Sequence, residues 1–222
     1  MTAFAALLRK DLRVELRTLR SLPAMVLFAV SAFVIFRFGL DREELDGELA
    51  AGVLVPTLLF AALLAINRLF VAEREEGGFD LVRLAPIDRT TLFAAKASAL
   101  VIYLIVLELV VVPIFALFFL DSATGLLPFA LILLLADIGL AATGTLISTI
   151  ATMSSARDLL APLILLPLLI PLVIAAAGAG EHLLAAGGPD YGRFGTWLGL
   201  LGLYDLIFLL VGYATFDYLL DD

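Results

Sequence analysis

Six long apolar stretches divide the chain, running approximately from Leu22 to Leu40, Ala50 to Val71, Leu92 to Leu120, Leu126 to Thr152, Leu159 to Ala179 and Trp197 to Leu219. Each holds about the 20 residues that a helix needs to cross the hydrocarbon core of a bilayer. None shows the two-residue alternation of a membrane barrel strand, and inside lipid only helices and closed barrels satisfy every backbone N–H and C=O. The pattern predicts an all-α integral membrane protein with six transmembrane helices, forming one domain over residues 1–222. The third and fourth runs are long enough to tilt or to extend past the lipid.

Ahead of the first span, residues 4–20 carry a different period. Leu8, Leu12, Leu16 and Leu19 recur at steps of four, four and three, and Arg9, Arg13, Arg17 and Arg20 repeat those steps one position along. Two stripes side by side predict an N-terminal amphipathic helix at the membrane interface, with leucines at the acyl boundary and arginines among anionic headgroups. It breaks at Ser21-Leu22-Pro23, where the chain turns into the first span. The plainer reading makes the same arginines a positive-inside anchor.

Composition removes any soluble alternative. Hydrophobic residues make up 63% of the chain and charged ones 16%, where a water-soluble domain has about 45–50% and 25%. Short connectors leave no room for a soluble catalytic domain. The formal charge of -8 supplies no basic surplus for phosphates, so nucleic acid is not an expected partner. Cysteine is absent, which excludes disulfides and thiolate metal sites. The charged opening is not the pattern of a cleaved signal peptide.

Lysine and arginine set the orientation. Arg9, Lys10, Arg13, Arg17 and Arg20 precede the first span; Arg68, Arg74, Arg83, Arg89 and Lys96 surround the second connector; Arg157 lies in the fourth. Only Arg37, Arg42 and Arg193 fall on the other side. Both termini and the even-numbered connectors are therefore expected in the cytoplasm. The first outer connector is acidic, with Asp41, Glu43, Glu44, Asp46 and Glu48.

The chain has no nucleotide-binding sequence of its own: its two lysines, Lys10 and Lys96, stand outside any G-x-x-x-x-G-K-[ST] frame. If ATP drives this protein, another chain hydrolyses it. No catalytic motif appears, and a lone histidine builds no histidine-rich metal site, so neither an enzyme nor a metal centre is expected. The most informative polar segment is the connector of residues 72–91, A-E-R-E-E-G-G-F-D-L-V-R-L-A-P-I-D-R-T-T. Gly77-Gly78 and Pro86 bracket a short amphipathic element with Phe79, Leu81, Val82 and Leu84. So short an element cannot bury its own apolar face and needs a partner surface, either lipid headgroups or another protein.

Glu108 and Asp137 lie within spans, where ionisable groups are costly. Counted from Asp121 at the outer turn, both sit about 20 Å in at 1.5 Å per residue, so an antiparallel hairpin of the third and fourth spans brings them close. Two facing carboxylates repel; the pair offers a polar lining, a proton-sensitive switch or a buried interhelical hydrogen bond. Asp205 in the sixth span is a weaker third candidate. Ala141, Gly144, Ser148 and Thr152 form a stripe of small residues expected to face protein, as do Gly195, Gly199 and Gly202. Pro167 and Pro171 in the fifth span each remove an N–H and clash with the carbonyl four residues back, so a kinked or broken helix is expected there. His182 in the last outer connector could ligate heme iron, although a lone loop histidine usually does nothing so specific.

Three groups of residues carry a family resemblance: the opening R-K-D-L-R-V-E-L-R with its elbow at Ser21-Leu22-Pro23; the succession from Glu73 through Pro86 to Lys96; and L-L-P-L-L-I-P-L-V-I in the fifth span. With these, the chain resembles the heme exporter protein B (CcmB) family of cytochrome c maturation permeases, itself related to ABC-2 type permeases. The resemblance implies a single ABC-2-like permease domain in the cytoplasmic (inner) membrane. It would work with an ABC ATPase subunit, other cytochrome c maturation membrane proteins and a heme chaperone, with heme as a substrate rather than a resident cofactor; a homo-oligomer is compatible with it. Glu75, Glu76, Gly77, Phe79, Leu81 and Leu84 would then belong to the coupling loop that docks on the ATPase. The rival readings are a permease for another amphiphile, a membrane scaffold, and a proton-coupled carrier using Glu108 and Asp137.

Overall fold

A computed structural model describes residues 2–19, 21–40, 42, 44–69, 88–122, 124–152, 157–185 and 187–219, with no side-chain placement for positions 152, 157–161 and 217–219. Among the described residues the chain is all helix: α1 (Ala3–Thr18), α2 (Leu22–Gly39), α3 (Gly47–Ile66), α4 (Arg89–Phe119), α5 (Leu126–Thr152), α6 (Arg157–Leu183) and α7 (Phe194–Leu219). The last six are long and apolar enough to cross a membrane, and the protein is a multi-pass membrane protein with one helix ahead of its spans.

The ring order of packing is α3, α6, α5, α4 and back to α3. Those four helices enclose the core, and α3 is the most buried of the spans. Its residues Ala50, Leu54, Ala61 and Ile66 are closed off completely. α2 lies outside against α3 and α4, and α7 outside against α5, α6 and α4. Both show one narrow buried row and a broad apolar surface, the pattern of helices with lipid on most sides. In α2 that row is Met25, Ala29 and Phe33, four apart; Phe33 meets Phe115 of α4 at 5.1 Å between ring centroids.

Boundaries moved where a cap or a close contact extended a helix. α3 starts at Gly47, three residues before the apolar run, because the Asp46 carboxylate accepts from the Gly47 N–H at 2.7 Å. It ends at Ile66 rather than Val71. α6 continues to Leu183, past the expected Ala179, so His182 belongs to a helix and not to a loop. Gly178 and Gly180 are tolerated in that turn because a side chain there would run into Trp197 or into Ala51 and Phe129. Of the kinked or broken helix expected there, the break does not occur: α6 runs continuously through Pro162, Pro167 and Pro171. Pro167 and Pro171 fall on its exposed side, one turn apart.

At the end of the bundle opposite α1, the turns are seated on α6. A Cβ at Gly47 would collide with the backbone oxygen of Glu181, and one at Gly125 with that of Leu183. Leu45 N–H donates to the Phe119 carbonyl at 2.9 Å, and Asp190 N–H to that of His182 at 2.9 Å.

Candidate functional site

At the end that carries α1, a third stripe on that helix does the packing. Leu7, Asp11 and Glu15 recur every four residues, between the leucine and arginine rows. Leu7 packs against Leu92, Phe93, Ala142 and Phe216, a small cluster that joins α4, α5 and α7. Asp11 forms an ion pair with Lys96 of α4 (Oδ2 to Nζ, 3.1 Å), and its carbonyl accepts from the Tyr103 hydroxyl at 3.1 Å. Glu15, itself buried, accepts through Oε1 from the N–H groups of Ser21 at 2.8 Å and Leu22 at 2.9 Å. Those N–H groups open α2, where a carboxylate is favoured by the helix dipole. The elbow is therefore held by Glu15 while Leu19 adopts the left-handed backbone, with φ of 46°. Leu16 and Leu19 stay exposed, as do Arg9, Arg13 and Arg17, which keeps the interfacial face free for lipid.

Lys96 is only 2% exposed. A lysine so deep needs both an opposite charge and hydrogen bonds, and it has them: besides Asp11, its ammonium donates to the Leu69 carbonyl at 3.2 Å. Leu69 is the last described residue before the connector. On the other side of α3, Ser148 of α5 donates to the Ile66 carbonyl at 3.3 Å, and Gly144 leaves space that the Ile66 side chain occupies. The last turn of α3 is thus gripped by α4 and α5 together, and α1 is tied to the same point through Asp11. The expected docking residues Glu75, Glu76, Gly77, Phe79, Leu81 and Leu84 lie outside the described residues.

Deeper in, Glu108 of α4 and Asp137 of α5 line one cavity of about 30 Å³ at the centre of the four-helix ring. Each stands eleven residues from the end of its helix opposite α1, Phe119 or Leu126, which is about 16 Å of rise. The other twelve lining residues are all valine, leucine or alanine. Asp137 is 5% exposed, and its Oδ2 has no hydrogen-bond partner.

Asp205 of α7 is also eleven residues in, counted from Phe194, but it does not join that cavity. Its carboxyl lies against the α-carbon of Gly139, where any side chain would meet Oδ1 at 2.5 Å. Next to it, the Tyr204 hydroxyl donates to the Leu168 carbonyl at 3.2 Å and pairs with Thr143 Oγ1 at 3.0 Å, a hydrogen-bonded seam through α5, α6 and α7. His182 Nδ1 lies 2.9 Å from the Gly178 carbonyl one turn back, a bond within its own helix. Among the described residues nothing lies within 4 Å of a Cβ built at Gly195, Gly199 or Gly202, so the expected packing seam is not formed by them. A row of small residues marks a face where another surface can come close, and it carries no information on whether one does.

The residues that sequence reasoning passed over are Asp11, Glu15, Tyr103 and Tyr204. A signal existed for the first two, since acids four residues apart on a helix otherwise dominated by arginine invite a buried basic partner.

A family model described as CcmB protein matches residues 2–217 of the chain. The chain is 32% identical over 215 residues to the Heme exporter protein B of Bradyrhizobium diazoefficiens, covering 96% of this chain and 94% of that protein. It is 30% identical over 173 residues to the Heme exporter protein B of Rhodobacter capsulatus, covering 78% of this chain and 79% of that one.

Proposed function

The chain belongs to the CcmB protein family, and from that premise we propose that it is the membrane permease subunit of an ABC transporter complex acting in heme export for cytochrome c maturation. Energy comes from ATP hydrolysis on a separate subunit, since the chain has no phosphate-binding loop. The names of its two relatives, both Heme exporter protein B, support heme as the cargo. The end rich in lysine and arginine faces the cytoplasm, where an ATPase works, and the inner membrane is the compartment.

The observation that carries this reading is the grip on the last turn of α3. A lever needs a rigid joint between the element that is pushed and the helices that move. Lys96 binds the root of the 70–87 connector to α4 and α1, and Ser148 binds the turn before it to α5. A push on the connector by a partner that changes shape on nucleotide hydrolysis would therefore reach three helices at once. The central cavity has room for one or two waters, and a tetrapyrrole does not fit it. The work delivered is accordingly a displacement of the outer face, which serves hand-over of heme or release of its chaperone from the neighbouring membrane proteins.

Docking rests on Glu75, Glu76, Gly77, Phe79, Leu81 and Leu84. Replacing Leu81 and Leu84 together by Asp removes the apolar face of that element. The expected result is a protein that inserts into membranes as before but no longer co-purifies with the ATPase subunit. Retained co-purification would remove the docking assignment.

A further inference from the structure

The cavity between α3, α4, α5 and α6 has a composition that packing alone does not explain. Two carboxyl groups from different helices meet in a chamber whose remaining walls are aliphatic, within the span-length part of both helices. Among the described residues no lysine, arginine or histidine lines it, so none of them gives either acid a cationic partner there. Asp137 brings to it an oxygen with no hydrogen bond, and a buried polar atom left without a partner costs about 1–3 kcal/mol or more. A water needs roughly 10–15 Å³ and two to four polar partners, and about 30 Å³ beside two carboxyls meets both conditions.

The helices packed around the pair bring no other charge to it. α3 contributes Val55, Leu58, Leu59 and Ala62, and α6 contributes Leu172, Val173 and Ala176. Near the middle of α7 stand Asp205, set against Gly139, and Tyr204, engaged with Thr143 and Leu168, and farther along it the exposed Tyr213; none of them belongs to the cavity wall. Two ionised acids side by side in such walls would have only each other's repulsion, in surroundings where an unpaired charge is prohibitive. One proton between them removes a charge, supplies the donor that Asp137 Oδ2 lacks, and lets one or two waters bridge the rest.

We propose that this cavity is a hydrated proton-binding site, in which Glu108 and Asp137 share a single exchangeable proton per chain. The site stands on the bundle alone and holds whether or not the chain docks an ATPase. The chemistry is proton uptake and release only: a carboxylate and a proton become a carboxylic acid, with no bond to carbon changed.

The test is infrared difference spectroscopy on the full chain in lipid nanodiscs across a pH series, in potassium buffer. The expected spectrum has a carboxylic-acid C=O band that shifts in deuterium oxide and titrates with the amplitude of one proton per chain. It vanishes in the Glu108→Gln, Asp137→Asn double variant. In Glu108→Gln alone, Asp137 has lost the carboxyl with which it shares the proton, so the band shifts in frequency. A band unchanged in frequency would make the acids independent and overturn the sharing. Absence of the band from the wild-type protein, a measurement that needs no variant to fold, overturns the site. Replacing potassium by sodium at constant pH should leave the band intact; its loss would make this a metal-cation site instead, and also overturn the proposal.

Discussion

Replacing Lys96 by Met strips the joint at the root of the connector of its charge while keeping most of the side-chain volume. Asp11, whose side chain is 10% exposed, is left with Lys10 at 3.3 Å, and Lys10 is 44% exposed. Breaking a buried pair from one side costs about 3–5 kcal/mol, and a solvent-screened contact recovers at most about 1, so the expected loss is about 2–4 kcal/mol. Asp11→Leu leaves the more deeply buried partner, and its loss should sit at the upper end, about 3–5 kcal/mol. With both replaced, no charge remains stranded, and the double variant should return to within about 2 kcal/mol of the wild type. The strong departure from additivity is the signature. It can be read from reversible unfolding in mixed micelles, followed through Trp197, the only tryptophan in the chain. A double variant that loses the sum of the two single losses, within about 0.5 kcal/mol, would refute the pairing and with it the joint.

Glu15→Ala removes the acceptor for two N–H groups at the start of α2 and should cost about 2 kcal/mol in the same unfolding measurement, with faster proteolysis at the elbow. Tyr204→Phe deletes the hydroxyl that links α5 to α6 and α7; the loss should be about 1 kcal/mol, near the values found for hydrogen bonds between membrane helices. Gly125→Val must displace the backbone of α6 at Leu183, and overpacking of that kind should cost about 1–3 kcal/mol, whereas Gly199→Val, on the open face of α7, should be neutral in a stability assay of the single chain.

The spans were legible because lipid imposes one solution on any long apolar run, and the interfacial helix because two stripes of unlike chemistry share one period. The meeting of Glu108 and Asp137 at one depth followed from counting residues away from the outer turn, which works when both helices are unbroken between turn and acid. Packing was legible only where residue type dictates direction. Ser148 has a hydroxyl to satisfy and finds the end of α3; Gly199 has nothing to satisfy, and its face stays open. Pro167 and Pro171 suggested a break because each removes a backbone donor, but they stand on the outward side of α6, where the ring needs no space from a neighbour. Lys96 was visible as one of two lysines, yet its partner Asp11 lies 85 residues earlier, and no local pattern joins them.

The seating of Gly47 and Gly125 against the carbonyl end of α6 has a mechanical corollary. Both turns rest on backbone rather than on side chains that could swing aside, so they have no slack relative to α6. If that helix tilts by a few degrees, the rim of the bundle must travel with it as one plate, and a protein resting on the rim would feel a change of platform angle rather than the opening of a loop.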